Sequence, residues 1–150
     1  MVQAGFELLE HTADVGIRAR GVTLEEAFEQ ATLGLAEVQG ALAPGPGEEV
    51  QRVLAPGLGE TVAVEVSAAD PGGLLVDWLN EVLWLAESRQ AALAGVRVER
   101  VGNGTARGSV TLSEGGPAPD GTFVKAVTYH RLRVEPDPGG GWLAEVYLDV

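Results

Sequence analysis

The chain has no cysteine, one lysine, one methionine and two histidines among 150 residues. Without cysteine there are no disulfides, thiolate metal sites, cysteine nucleophiles or thiol switches, and this fits a reducing compartment. No apolar run approaches the roughly 18 residues a membrane span requires. The first residues, MVQAGFELLEH, carry neither the basic start nor the apolar stretch of a secretory signal. These features predict a cytoplasmic protein with no membrane partner. Basic residues are scarce as well: 10 against 22 acidic ones, a formal charge of -12. That sign opposes direct binding to a polyphosphate and suits cations or basic partner proteins.

What is present is enough for one core. At this length, with 45% hydrophobic residues, one domain spanning 1–150 is expected, burying roughly 70% of the surface the unfolded chain exposes. Phe6 to His11 and Val15 to Arg20 read as strands, the second with Val15, Ile17 and Ala19 on one face. Thr23 followed by Glu26 is a capping box, and Leu24, Ala27, Phe28, Ala31, Leu35 and Val38 predict a helix over 23–39 that stops at Gly40. Residues 42–60 hold three prolines and four glycines around a short strand, Glu48 to Leu54. A further strand follows at Thr61 to Val66. Asp70-Pro71 then opens a second helix reaching Gln90, with Trp78 and Trp84 expected in its packing stripe. Val96 to Val101 and Thr105 to Leu112 form a hairpin through Asn103-Gly104; Thr122 to Glu135 and Trp142 to Val150 form another around Pro136 to Gly141. Gly115 to Gly121 reads as a loop. The order predicts an α+β fold, a mostly antiparallel sheet with two helices packed on it.

Several chemistries are excluded. Gly102-Asn103-Gly104 and Gly139-Gly140-Gly141 do not lie between a strand and a helix and precede no Lys-Ser or Lys-Thr, so phosphate-loop and dinucleotide readings fail. No serine sits in a nucleophile elbow. By parity His130 falls on the apolar face of its strand with Val124, Ala126, Thr128, Leu132 and Val134, which predicts a core imidazole. Lys125 would lie opposite it, beside Phe123, Val127, Tyr129 and Arg131, as a solvent-facing cation or a point charge near carboxylates.

The acidic residues say more. Asp14 precedes a strand where helix capping cannot explain it, and Asp149 with Val150 crowds several oxygens into a short span. Calcium takes six to eight oxygen ligands, so such a terminus plus one more aspartate from an adjacent segment could hold a hard cation; a solvated turn and a frayed end are the plainer account.

Three segments together resemble the archease family: Phe6-Glu7-Leu8-Leu9-Glu10-His11-Thr12-Ala13-Asp14-Val15-Gly16-Ile17, Leu74-Leu75-Val76-Asp77-Trp78-Leu79-Asn80-Glu81, and Val124-Lys125-Ala126-Val127-Thr128-Tyr129-His130 with Tyr147-Leu148-Asp149-Val150. The resemblance covers essentially the whole chain. It implies a small α+β activator of a GTP-dependent RtcB-type RNA ligase in tRNA splicing or RNA repair. Such an activator promotes guanylylation of the ligase and multiple turnover, with no catalysis of its own. It further implies a divalent-cation site, commonly calcium, at Asp14, Asp149 and Val150, and a functional lysine at Lys125. RNA would be reached only through the ligase. The chain departs from the family pattern at Arg107-Gly108-Ser109 and in the Gly/Pro-rich stretch from Ser113 to Gly121. The alternatives are a general chaperone for RNA-modifying enzymes and a metal-dependent hydrolase using Asp14 and Asp149.

Overall fold

A computed structural model describes residues 4–10, 14–40, 59–113 and 121–150, with the side chains of Glu10 and Asp14 outside the description. The expected strand at 48–54 and the loop from 115 lie largely or wholly outside these residues. The elements run β1 (Gly5–Glu10), β2 (Asp14–Gly21), α1 (Leu24–Val38), β3 (Gly59–Ser67), α2 (Pro71–Ser88), β4 (Ala92–Gly102), β5 (Thr105–Ser113), β6 (Ala126–Pro136) and β7 (Trp142–Asp149).

The α+β class holds, with antiparallel pairing throughout. The strands divide, however, into two sheets. One has the order β1-β2-β7-β6 and the other β3-β5-β4. Helix α1 packs on β1, β2 and β7 of the first sheet and on β4 of the second, while α2 packs on β6 and on all three strands of the second. The helices therefore fill the space between the sheets, which is why both are buried around much of their circumference. Ile17, Phe28, Leu35, Leu74, Leu75, Trp78, Leu79, Leu93 and Leu148 are fully buried in one continuous core. At Gly34, α1 comes so close to β2 that an added Cβ would lie 2.7 Å from Ile17 Cγ2.

Local chemistry explains the element ends. The Glu26 amide donates to Thr23 Oγ1 at 3.1 Å, as expected, but the Glu26 carboxylate accepts from the Val22 amide at 2.6 Å rather than from Thr23. Val22 has just left β2, and its N–H needs that partner. Asp70 caps α2 through the Gly73 amide at 2.7 Å, with Pro71 at the first helical position. Asn103 and Gly104 have φ of 55° and 76°, the two positive values of a tight hairpin turn.

Two tryptophans expected in α2 packing behave differently. Trp78 is fully buried and donates from Nε1 to Thr32 Oγ1 at 3.0 Å, joining the two helices. Trp84 is 60% exposed, on the side of α2 that faces neither sheet. The apolar stripe is real, but 84 falls at its margin.

Candidate functional site

The site candidates come from three remote parts of the sequence, and backbone pairing decides whether they meet. Asp14 is the first residue of β2 and stands opposite Asp149, the last residue of β7; Asp149 also stands opposite Ala126, the first residue of β6. The Lys125 amide donates to the Asp149 carbonyl at 2.8 Å. Lys125 and Ala126 thus face one residue of β7, the two-against-one geometry of a β-bulge. Lys125 and Asp149 are exposed, and Val150 is half-buried against the core. Because the Asp149 carbonyl serves the Lys125 amide, it is less available as a ligand than the spacing suggested. Among the described residues no three His, Cys, Asp or Glu side chains gather as a metal cluster. His11, Thr12 and Ala13 lie outside the described residues.

The bulge overturns the parity reading of this strand. Val124 and Val127 are both buried although they differ in parity, and His130 is exposed rather than in the core. A second irregularity follows. Thr128 pairs with Tyr147 and Arg133 with Glu145, so four β6 residues, 129–132, span a gap that one β7 residue, Val146, fills. Tyr129, His130 and Arg131 are pushed out, with Arg131 at φ 56° and Tyr129 63% exposed. Phe123, on the other side of Lys125, is 68% exposed.

The excursion folds back onto a buried ring. His130 meets Tyr147 edge to face with centroids 6.1 Å apart, and the Arg131 guanidinium lies 5.9 Å from the Tyr147 centroid. Tyr147 in turn lies across Gly16, where a Cβ would come within 2.7 Å of the ring. Two rungs further, Glu7, Arg18, Glu145 and Arg133 occupy facing positions across all four strands in alternating charge. Arg18 Nε donates to Glu145 Oε1 at 2.8 Å, and Arg133 reaches the same oxygen at 3.5 Å. The bond to Glu145, reinforced by the charges of Glu145 and Glu7, holds the Arg18 guanidinium more firmly protonated than usual. Arg18, Arg131, Leu132, Arg133, Glu145 and Tyr147 line an open depression of about 410 Å³ on this face.

Asn80 stands in the middle segment quoted for the resemblance, but its role escaped the sequence reading. Its amide donates to the Val127 carbonyl at 3.0 Å and its oxygen accepts from the Val127 amide at 2.9 Å. The available signal was an asparagine in the middle of a helix, where intrinsic preference disfavours it.

Comparison with known proteins identifies the family of the chain. The model of the Archease protein family matches residues 6–150. Protein archease of Thermococcus gammatolerans is 37% identical over 152 residues, covering 97% of this chain and 98% of that protein. Protein archease of Methanosarcina mazei is 34% identical over 151 residues, with 97% and 95% covered. Among solved structures, protein 1598 of Methanobacterium thermoautotrophicum aligns with a TM-score of 0.65 at 28% identity, covering 97% of this chain and 99% of that one. The Thermotoga maritima archease, described as a possible chaperone, shares the fold with a TM-score of 0.60 at 20% identity, covering 95% and 94%. With a family match from residue 6 to residue 150 and relatives above 30% identity along nearly their whole length, this chain belongs to the archease family.

Proposed function

We propose that this chain is a cytoplasmic protein activator of a GTP-dependent RtcB-type RNA ligase, promoting guanylylation of the ligase and its multiple turnover in tRNA splicing or RNA repair. The observation that carries the reading is the convergence of Asp14, Asp149 and Lys125, the residues to which the archease resemblance assigns function, at one end of one sheet. Asp14, Asp149 and Val150 hold a divalent cation there, calcium by preference. The donor chemistry suits it: facing carboxylate-bearing residues repel each other when ionised, and a hard cation with oxygen ligands relieves that repulsion. When bound, the ion supplies positive charge able to anchor an anionic group of the partner. Lys125, on the neighbouring bulge, supplies a second, fixed cation.

Docking is supported by the surroundings. Phe123 and Tyr129 flank Lys125 as exposed aromatics, the residue type that anchors protein interfaces. Helices α1 and α2 carry seven acidic residues and no basic one within their bounds. An acidic activator approaching a basic, RNA-binding ligase is steered by opposite charge.

The test is whether substoichiometric protein accelerates guanylylation of its own ligase. Acceleration is expected; none, with an active ligase, ends the reading. Calorimetry adds a check on the ion, since Asp14→Ala is expected to weaken calcium binding sharply while the protein stays folded. The Thermotoga maritima protein is described as a possible chaperone, which favours a second reading of this chain as a chaperone. Protection of unrelated clients from aggregation, without effect on guanylylation, separates the two.

A further inference from the structure

The strand that follows Lys125 has little to hold it. β6 is an edge strand of its sheet. Its first regular rungs on β7 number three, Ala126, Val127 and Thr128, before the excursion at 129–132 interrupts the ladder. Behind them lies the bulge at Lys125. A three-rung ladder between two irregularities is a weak anchor for a charge that must sit in one place.

Asn80 supplies what is missing. Val127 turns its N–H and C=O away from β7, toward the side where a further strand would pair, and the Asn80 side chain meets both at 2.9 and 3.0 Å. An amide carries a donor and an acceptor side by side without needing to be protonated, so it mimics the absent strand. The clamp ties β6 to α2, itself anchored by Trp78 and Leu79 in the core. From Val127 the chain runs back two residues to Lys125, whose amide is bound to Asp149. Val124, one residue further, is fully buried. Lys125 is thus suspended between two fixed points, one of them made by Asn80.

We propose that Asn80 is a positioning residue for ligase activation: it acts through Lys125 by fixing the start of β6 against α2. The proposal rests on the functional reading above, in which Lys125 acts on the ligase. The two bonds of the Asn80 side chain go to the Val127 backbone, so its effect on the site passes through β6.

Asn80→Asp tests it. The variant keeps the acceptor for the Val127 amide but turns a carboxylate oxygen on the Val127 carbonyl, where two acceptors repel. Protonation of the introduced carboxyl restores a donor there, and bonding to the neutral form raises its pKa. Guanylylation of the ligase is measured with wild type, Asn80→Asp, Lys125→Ala and the double variant, each normalised to wild type at the same pH. Near pH 8 the Asn80→Asp variant is expected to activate about tenfold less well, because small misplacements of a functional group are costly. Its ratio to wild type climbs as pH falls to about 6. In the Lys125→Ala background, Asn80→Asp changes activation by less than about twofold, since a residue that works through another adds nothing once that one is gone.

A flat ratio with pH, additive losses, or wild-type activation by Asn80→Asp overturns the proposal. Asn80→Ala, which removes both bonds without adding charge, takes its place if the carboxylate prevents folding, and additivity with Lys125→Ala is again the overturning result. Failure of the wild-type protein to accelerate guanylylation is a different outcome: it rejects the functional reading and, with it, this role.

Discussion

At the scale of single residues, the sharpest contrast is between side chains that hold the sheet and those that stand on it. Lys125 is exposed, and strand-surface charges contribute below about 1 kcal/mol, so Lys125→Ala is expected to leave the melting temperature nearly unchanged while ligase activation falls. Normal activation by that variant would remove Lys125 from the site. Gly16 is the reverse case. A methyl there would sit 2.7 Å from Tyr147 Cε2 and 3.0 Å from Leu9 Cβ, so Gly16→Ala must displace a ring that His130 and Arg131 rest on. Overpacking of this kind costs about 1–3 kcal/mol, readable by chemical denaturation. On the same face, Arg133 holds the Glu135 carboxyl below the usual carboxylate range through its hydrogen bonds and charge. A depressed carboxyl stabilises the fold above its unfolded value, and that contribution disappears as pH falls through the lowered one. In Arg133→Ala the Glu135 midpoint followed by NMR is expected to rise. Legibility at this scale depended on distance along the chain. Asp14, Asp149 and Lys125 could be singled out and a shared cation suggested, but spacing cannot bring Asp14 to residues more than a hundred positions away; the family resemblance is what turned that suggestion into a named set. His130 was misjudged because alternation assumes one residue per rung, and β6 breaks that count at Lys125 and again after Thr128.

At the scale of elements, the helices were legible and the strand edges were not. The apolar stripes, the Thr23 and Asp70 caps and the Asn103-Gly104 turn are local signals, and each element they predicted is present. What helices do for sheets is a tertiary matter. Asn80 meets the open edge of β6, and α1 treats β4 likewise. Glu25 accepts from the Val101 amide and Glu29 from the Val98 amide, each at 2.9 Å. β4 is an edge strand, and these carboxylates satisfy amides that would otherwise be available to another chain. Glu29→Ala is expected to cost about 1–3 kcal/mol by stranding the Val98 amide, whereas Glu29→Gln retains most of that stability because an acceptor remains. Faster hydrogen exchange at Val98 in the alanine variant alone is the signature to seek. Equal exchange in both would mean the bond is dispensable.

At the scale of the whole molecule, the two sheets are built differently from the chain. β3, α2, β4 and β5 are consecutive between residues 59 and 113, and they make the second sheet with the helix against it. The first sheet joins β1 and β2 from one end of the sequence to β6 and β7 from the other. Such distant pairing carries a large entropic cost of closure and forms slowly. Pulse-labelled hydrogen exchange during refolding is therefore expected to protect amides of β3 to β5 before those of β2 and β7; simultaneous protection would contradict this order. The same division bears on synthesis. Asp14 leaves the ribosome early, but its partner across the sheet is residue 149, so the paired aspartates cannot exist in any nascent chain that stops short of that point. A molecule interrupted during translation can own a well-formed second sheet and still lack the pairing of β2 with β7. The β2–β7 seam thereby keeps a record of translation, since it can close only in a chain whose synthesis has run through β7.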